Sequence, residues 1–319
     1  MRKIVYILFG ACMMLVYSCA KDVGIGAPLE VEPDYFLPQN GASQAANARI
    51  QKLYDDYGSY FIYEFTQKDF IWTPSAGTSN SRVDTAVMGN PMYVDEMLDF
   101  LDEIWIKHLP DAFKKGMGLP YRVLLADEIK QRRAGTGYPP GMEYLYYDFR
   151  VVGKSITIAG LNETLRTMTP AEKLAKKNAL ITEIFTNYYR SHGIIAFPEE
   201  FYAVSDYVNR PTMPVHTTTP ATPPPPENVE AYRERGFIPT TLNTYTGRLN
   251  EWLTNDYAWT QARTNDLNSY ITYLLQRTDA EIAPYLVYPK IKQKFDILVD
   301  HFKNEYGIDV RGIANATFE

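Results

Sequence analysis

Cysteine is nearly absent. The 319 residues hold two, Cys12 and Cys19. Both lie in the first twenty positions, so the rest of the chain has no pair to bridge and must be stable through its core alone. Basic charge is also short: 32 Lys and Arg stand against 38 Asp and Glu, a net −6. That balance argues against a nucleic-acid binder, which needs a basic face for phosphates. Histidine is scarce, with only His108, His192, His216 and His301. No two of them stand three or four residues apart, so no two share a helix face toward one metal ion. Past the N-terminal segment no apolar run approaches membrane-spanning length. No internal repeat is visible. No glycine-rich phosphate loop follows a strand, and no G-x-S-x-G elbow is present.

What is present starts with Arg2 and Lys3, followed by an almost wholly apolar run from Ile4 to Val16. This is the shape of a signal peptide, too short to span a bilayer stably. The run ends in Val16-Tyr17-Ser18-Cys19. A small residue directly before a cysteine resembles the lipobox read by the lipoprotein signal peptidase. Residues 1–18 are then removed, and the sulfur of Cys19 carries lipid, a palmitate-type acyl anchor. The alternative is an ordinary secretory signal with a chance cysteine, but no small-x-small site offers a better cut. Residues 19–46, with Lys21-Asp22, several glycines and Pro28, Pro33 and Pro38, read as an extended tether. A Lys-Asp pair after the lipid cysteine resembles the signal that sends some Gram-negative lipoproteins to the outer face of the outer membrane.

Residues 47–319 read as one domain. Ala42 to Tyr57 has helical spacing and ends at Gly58. Tyr60 to Phe65 reads as a buried strand, with Phe70-Ile71-Trp72 as its short successor. Pro91 opens a helix that carries Val94, Met97, Leu98, Leu101, Ile104 and Trp105 on one face. Pro110 starts a short helix through Lys115. Tyr121 to Ala126 is a third strand, Gly135 to Gly141 a loop, and Leu145 to Ile158 two more strands around Gly153. Thr169 caps a helix with Pro170 in its first turn, running to about Tyr189. Residues 211–226 hold seven prolines and five threonines and read as a polyproline-type loop. Leu249 to Leu275 and Pro289 to Tyr306 read as helices. Strands come early and helices late, so the class is α+β.

Several segments together resemble one family. They are the lipobox, then Tyr57-Gly58, Tyr63-Glu64-Phe65 and Asp69-Phe70-Ile71-Trp72. Tyr93 to Leu101, Leu119-Pro120 and Val123-Leu124-Leu125 follow. Later come Pro198-Glu199-Glu200-Phe201 with Ser205 and Tyr207, Gly236-Phe237-Ile238, and Ile291-Lys292-Gln293-Lys294 through Gly307-Ile308. Their order and spacing are similar to those of substrate-import-associated zinc metallopeptidase lipoproteins of Gram-negative gut-type bacteria. The genes of these lipoproteins sit beside TonB-dependent transporters of the SusC/SusD kind. The resemblance implies a zincin-like fold with a small sheet and a mainly helical C-terminal half. It also implies an H-E-x-x-H helix whose histidines bind zinc and whose glutamate takes a proton from zinc-bound water.

Counted back from Pro198, the motif's place falls on Thr182-Glu183-Ile184-Phe185-Thr186. The glutamate is kept and both histidines are threonine, a poor zinc ligand because its hydroxyl stays protonated near neutral pH. The family's later acidic ligand falls at Asn250, with Glu251 one residue on. His192, just past the helix, is the one substitute ligand to consider. The resemblance therefore implies a degenerate site with no metal. The expected role is a non-catalytic accessory or binding subunit of a SusC/SusD-type import complex at the cell surface, with a peptide or glycan ligand. The alternatives are an active zinc metallopeptidase or other hydrolase with atypical ligands, built on Glu183, and a glycan-binding surface lipoprotein. For the last, the aromatics are Tyr144, Tyr146 and Tyr147 before Asp148, and Trp252 with Trp259; packing into the core is their other reading. A Glu183 buried without metal needs Thr182, Thr186, an Arg or a Tyr as partner. Adjacent Glu199 and Glu200 usually point apart, which favours a solvated turn over a glycosidase pair.

Overall fold

The computed structural model describes residues 32–71, 84–133, 137–209, 226–238 and 259–318. The chain divides into two compact units, Met1–Phe36 and Leu37–Glu319, and every element below belongs to the second.

Helix α1 (Gln44–Tyr57) starts where the Ser43 hydroxyl accepts the Ala46 N–H, and it stops at Gly58, whose φ of 66° suits a residue without a side chain. Part of the expected tether packs on this unit. The Gln39 side-chain oxygen accepts the N–H groups of Tyr63 (2.8 Å) and Glu64 (3.1 Å). Strand β1 (Tyr60–Ile62) is buried throughout. The expected strand at Phe70 is instead a short helix, Gln67–Phe70, because Thr66 and Asp69 form a reciprocal capping box. That local bonding outweighs the strand preference of the aromatic run. Trp72 lies outside the described residues.

The sheet is mixed. Strand β3 (Arg122–Arg132) is its centre, and its first half pairs in parallel with β1 and with β6 (Ser155–Ile158). Val123 to Ala126 are fully buried, the near-continuous apolar run that a parallel strand covered on both faces requires. The second half of β3 pairs antiparallel with β2 (Asp84–Met88) and β4 (Tyr144–Tyr147). Strand β5 (Phe149–Val152) pairs antiparallel with β6 and ends the strand order. The segment expected to hold two strands thus holds three, split at Asp148 and at the Gly153-Lys154 turn. Strand β2 was not legible, since its burial does not alternate.

Helices follow: α2 (Val94–Ile104), α3 (Pro170–Glu183), α4 (Ala262–Gln276), α5 (Pro289–Tyr306) and α6 (Val310–Ala314). Helix α4 covers the second half of the helix expected from Leu249 to Leu275, and residues 249–258 lie outside the described residues. So do residues 211–225 of the proline-rich stretch, while Pro226 opens a helix, Pro226–Glu234. Gly307 (φ 68°) ends α5. The fold is α+β, as the order of the elements predicts. Among the described residues no helix is long and apolar enough to cross a membrane.

One core joins the sheet to α2, α3, α4 and α5, and it contains charge. Lys294 and Asp266 are both 0% exposed and paired at 2.6 Å. Tyr207 donates to the same carboxylate oxygen at 2.5 Å. Four rings, Phe201, Tyr207, Phe237 and Tyr270, surround the ammonium at 4.8–5.2 Å. Lys177 of α3, also 0% exposed, has no carboxylate partner among the described residues and donates to the carbonyls of Leu275 (3.2 Å) and Ile313 (2.9 Å). Both carbonyls lie in the last turn of a helix, where the ordinary intrahelical partner is missing.

Candidate functional site

Helix α3 positions the site. Thr169 caps it with a full capping box, in which Glu172 accepts the Thr169 N–H at 2.8 Å. Pro170 fits the first turn, where its missing N–H costs nothing. Thr169→Ala is expected to lower stability by about 1 kcal/mol, read as a fall in the urea midpoint with an unchanged slope.

The helix does not end at Glu183. From Ile184 to Tyr189 it widens into π-helical winding, a form found mostly as short insertions and often at functional sites. Ile184, Phe185, Tyr188 and Tyr189 are buried. Tyr189 is held by its hydroxyl, which donates to Gly118 O at 2.8 Å, and by edge contacts with Phe113 and Phe185. The expectation that positions 182 and 186 share one face rests on α-helical spacing, and the winding changes it. The Thr182 hydroxyl meets α4, accepting from the Gln276 amide at 2.8 Å. Thr186 instead lines an open cleft together with Glu183, and its hydroxyl donates to Thr182 O at 2.7 Å.

That cleft, about 790 Å³, lies between the helix and the β5–β6 hairpin. Val151 and Gly153 form one wall; Glu183, Thr186, Asn187 and Arg190 form the other, with Ser191 and His192 at its end. The structure thus brings Glu183, Thr186 and His192 together and turns Thr182 away. Asn250 and Glu251 lie outside the described residues. Glu183 is half-buried, and its carboxylate makes no hydrogen bond or ion pair among the described residues. The expected partners Thr182 and Thr186 are engaged elsewhere: Thr182 accepts from the Gln276 amide, and the Thr186 hydroxyl takes the carbonyl one turn back, as hydroxyls on helices readily do. Arg190 donates to Thr264 (3.0 Å) and Asn268 (3.3 Å) of α4. It was not singled out from the sequence, although it stands two turns after Glu183.

These donors do not fit a zinc ion. The Thr186 hydroxyl is spent on a backbone carbonyl. His192 Nδ1 lies 2.8 Å from Tyr188 O, and its ring stacks on Tyr188 at 4.7 Å, leaving one imidazole nitrogen and one carboxylate where zinc needs at least three protein ligands. Among the described residues no three His, Cys, Asp or Glu side chains are placed to hold a metal.

The remaining candidates take ordinary places. His108 and His301 bond to the carbonyls of Glu103 (3.1 Å) and Ala196 (2.7 Å), and His216 lies outside the described residues. Glu199 pairs with Arg263 at 2.6 Å on the surface, the solvated reading of the Glu199-Glu200 pair. Trp259 packs edge-on against Phe237, with its N–H donating to Tyr207 O; Trp252 lies outside the described residues. Tyr144 and Tyr146 are 39% and 57% exposed, while Tyr147 is covered by the Arg150 guanidinium.

Fold and site together define an α+β protein with an open cleft between a helix and a β-hairpin. No family model matches the chain, and no curated protein matches it. One solved structure is similar to it: a protein from Bacteroides caccae provisionally assigned as a zinc-binding metallo-peptidase. It shows 12% identity and a TM-score of 0.42, over 86% of this chain and 91% of that one.

Proposed function

We propose that this chain is a lipid-anchored surface protein of zincin-like architecture whose helix–hairpin cleft binds a peptide without hydrolysing it. Its zinc site is degenerate. Its place is beside a SusC/SusD-type import complex, held on the outer membrane through Cys19. The observation that carries the reading is the state of the two threonines. Both hydroxyls are tied into the fold at the positions where the resemblance implies zinc ligands, yet the cleft beside them stays open. The wall of that cleft supports a peptide ligand. Strand β5 ends the strand order, and an extended chain can add to such an edge through its backbone.

Metal analysis of the purified chain from Cys19 onward, after dialysis against equimolar zinc, is expected to find well under one ion per chain, and no cleavage of a peptide library. Stoichiometric zinc that is lost in Glu183→Gln or His192→Ala would overturn the reading. Recovery of the protein from native membranes is expected to bring a TonB-dependent transporter with it; recovery alone would remove the accessory role.

A second reading has one observation in its favour. Glu183 stands unpartnered in the same cleft as His192, the minimum pair for a hydrolase working by general acid–base chemistry. Turnover of any ester or peptide that disappears in Glu183→Gln while zinc stays absent would select it.

A further inference from the structure

Beyond the cleft, on the other side of the Gly153-Lys154 turn, a second pocket of about 390 Å³ is lined by Tyr57, Tyr121, Tyr188, Lys115, Lys154 and Met117. Its volume suits a single ring-sized ligand. Three features set it apart from ordinary surface. First, Lys115 and Lys154 are exposed, and neither has an ion pair among the described residues. Asp111, the carboxylate next to Tyr57, is already taken. Lys114 pairs with it at 2.7 Å, and the Tyr57 hydroxyl donates to it at 3.0 Å. Lys115 acts on Asp111 only through space, so two ammonium side chains without an ion pair among the described residues line one pocket.

Second, Tyr188 is 2% exposed, yet its hydroxyl has no hydrogen-bond partner among the described residues. Burial pushes this phenol up to about 12, so it remains a donor at neutral pH. The ring is buried while the hydroxyl oxygen is not shut off from the pocket, so it is placed to donate to a ligand there.

Third, Met117 holds a left-handed backbone with φ 71°, the one non-glycine to do so among the described residues. Its neighbours impose this. Gly118 sits so close to Phe113 that a Cβ would come within 2.4 Å of the ring, and Gly118 O accepts the Tyr189 hydroxyl. Strain of this kind is kept where the surroundings over-determine it, and it clusters at ligand clamps. Here it leaves the Met117 side chain 53% exposed at the pocket, a soft apolar contact that adapts to a ligand's shape.

We propose that this pocket binds a small cyclic anion. A carboxylate or sulfate sits between Lys115 and Lys154, the ring lies against the tyrosines and Met117, and an oxygen of the ligand accepts from the Tyr188 hydroxyl. Ammonium groups on flexible stems act as point charges that follow the anion, while the tyrosine rings give flat apolar walls with polar edges. The site does not depend on the reading of the cleft.

The test is calorimetric titration of the full folded chain with glucuronate, benzoate, methyl glucoside and inorganic sulfate. Glucuronate or benzoate is expected to bind, more weakly at high salt because the ammonium groups are exposed. Binding of glucuronate alone identifies an acidic sugar site, and binding of benzoate alone an aromatic-acid site. The double variant Lys115→Met/Lys154→Met is expected to lose at least tenfold in affinity, Tyr188→Phe several-fold, and Glu183→Gln nothing. Both lysines are exposed and Phe keeps the Tyr188 ring, so unchanged thermal melting is expected of all three variants. The proposal is overturned if neither ring anion binds, if methyl glucoside or bare sulfate binds as tightly, or if the lysine variant binds normally.

Discussion

Lys294→Met is expected to destabilise the protein by about 3–5 kcal/mol, a fall in Tm of roughly 10 °C for a chain of this size. The cause is the partner left behind. Asp266 is fully buried, and one of its oxygens has no hydrogen bond even in the intact protein. Without Lys294 only Tyr207 would face the charge. Burial pushes the Asp266 carboxyl up and the Lys294 ammonium down, so the direct contact must offset the loss of water for both. Asp266→Asn strands the ammonium instead, although the four surrounding rings retain part of its stabilisation. The double variant Lys294→Met/Asp266→Leu removes both charges and is expected to regain most of the loss, since apolar replacement of a buried pair is often neutral or better. Urea denaturation of the two single variants and the double variant gives the coupling directly. A single variant that costs under about 1 kcal/mol would mean that the pair is hydrated in solution.

The second large effect is one of pH. Burial, with Arg311 nearby, lowers the Lys177 ammonium to about 8 from 10.5, a penalty of roughly 3 kcal/mol on its charged form. Between these two values the unfolded chain binds more protons at this position than the folded one, so stability rises with pH. The contribution is complete above 10.5 and is lost as pH falls through about 8. The buried tyrosines act in the opposite direction. Burial raises Tyr188, Tyr189, Tyr207 and Tyr273 above the usual phenol value, so their contribution falls away once the unfolded chain begins to ionise near 10. The expected profile climbs from pH 8, peaks between 9 and 10, and then drops. In Lys177→Met the climb should shrink, Lys294, whose ammonium burial also pushes down, supplying what is left, while the alkaline drop remains. At pH 7 that variant is expected to be nearly neutral, because losing a buried charge offsets two lost hydrogen bonds. A climb undiminished in Lys177→Met would show that another group causes it.

Much of the frame was legible without coordinates. Helix signals at Gly58, Thr169-Pro170 and Pro289, and the buried run at β3, are local: caps and periodicity act within a few residues. Elements whose form depends on distant partners were not legible. Strand β2 exists because it pairs with the far half of β3. Phe70 joined a helix because the Thr66–Asp69 capping box, a local signal, outweighs the strand preference of the aromatic run around it.

The candidate site divides along the same line. Sequence by itself determined its chemistry: glutamate at position 183, threonine at 182 and 186, one histidine nearby, and no pair of histidines anywhere able to share a helix face. Residue type sets which atoms can donate, accept or ligate, and no fold alters that. Tertiary structure alone decided which of these residues meet. The widened turn from Ile184 sends Thr182 toward Gln276 and Thr186 into the cleft, and the β5–β6 hairpin, Arg190 and the lysine–tyrosine pocket are assembled from segments far apart in the chain. Such meetings are set by packing against partners that no local pattern encodes, which is why they became visible only once the core had placed the helix against the sheet.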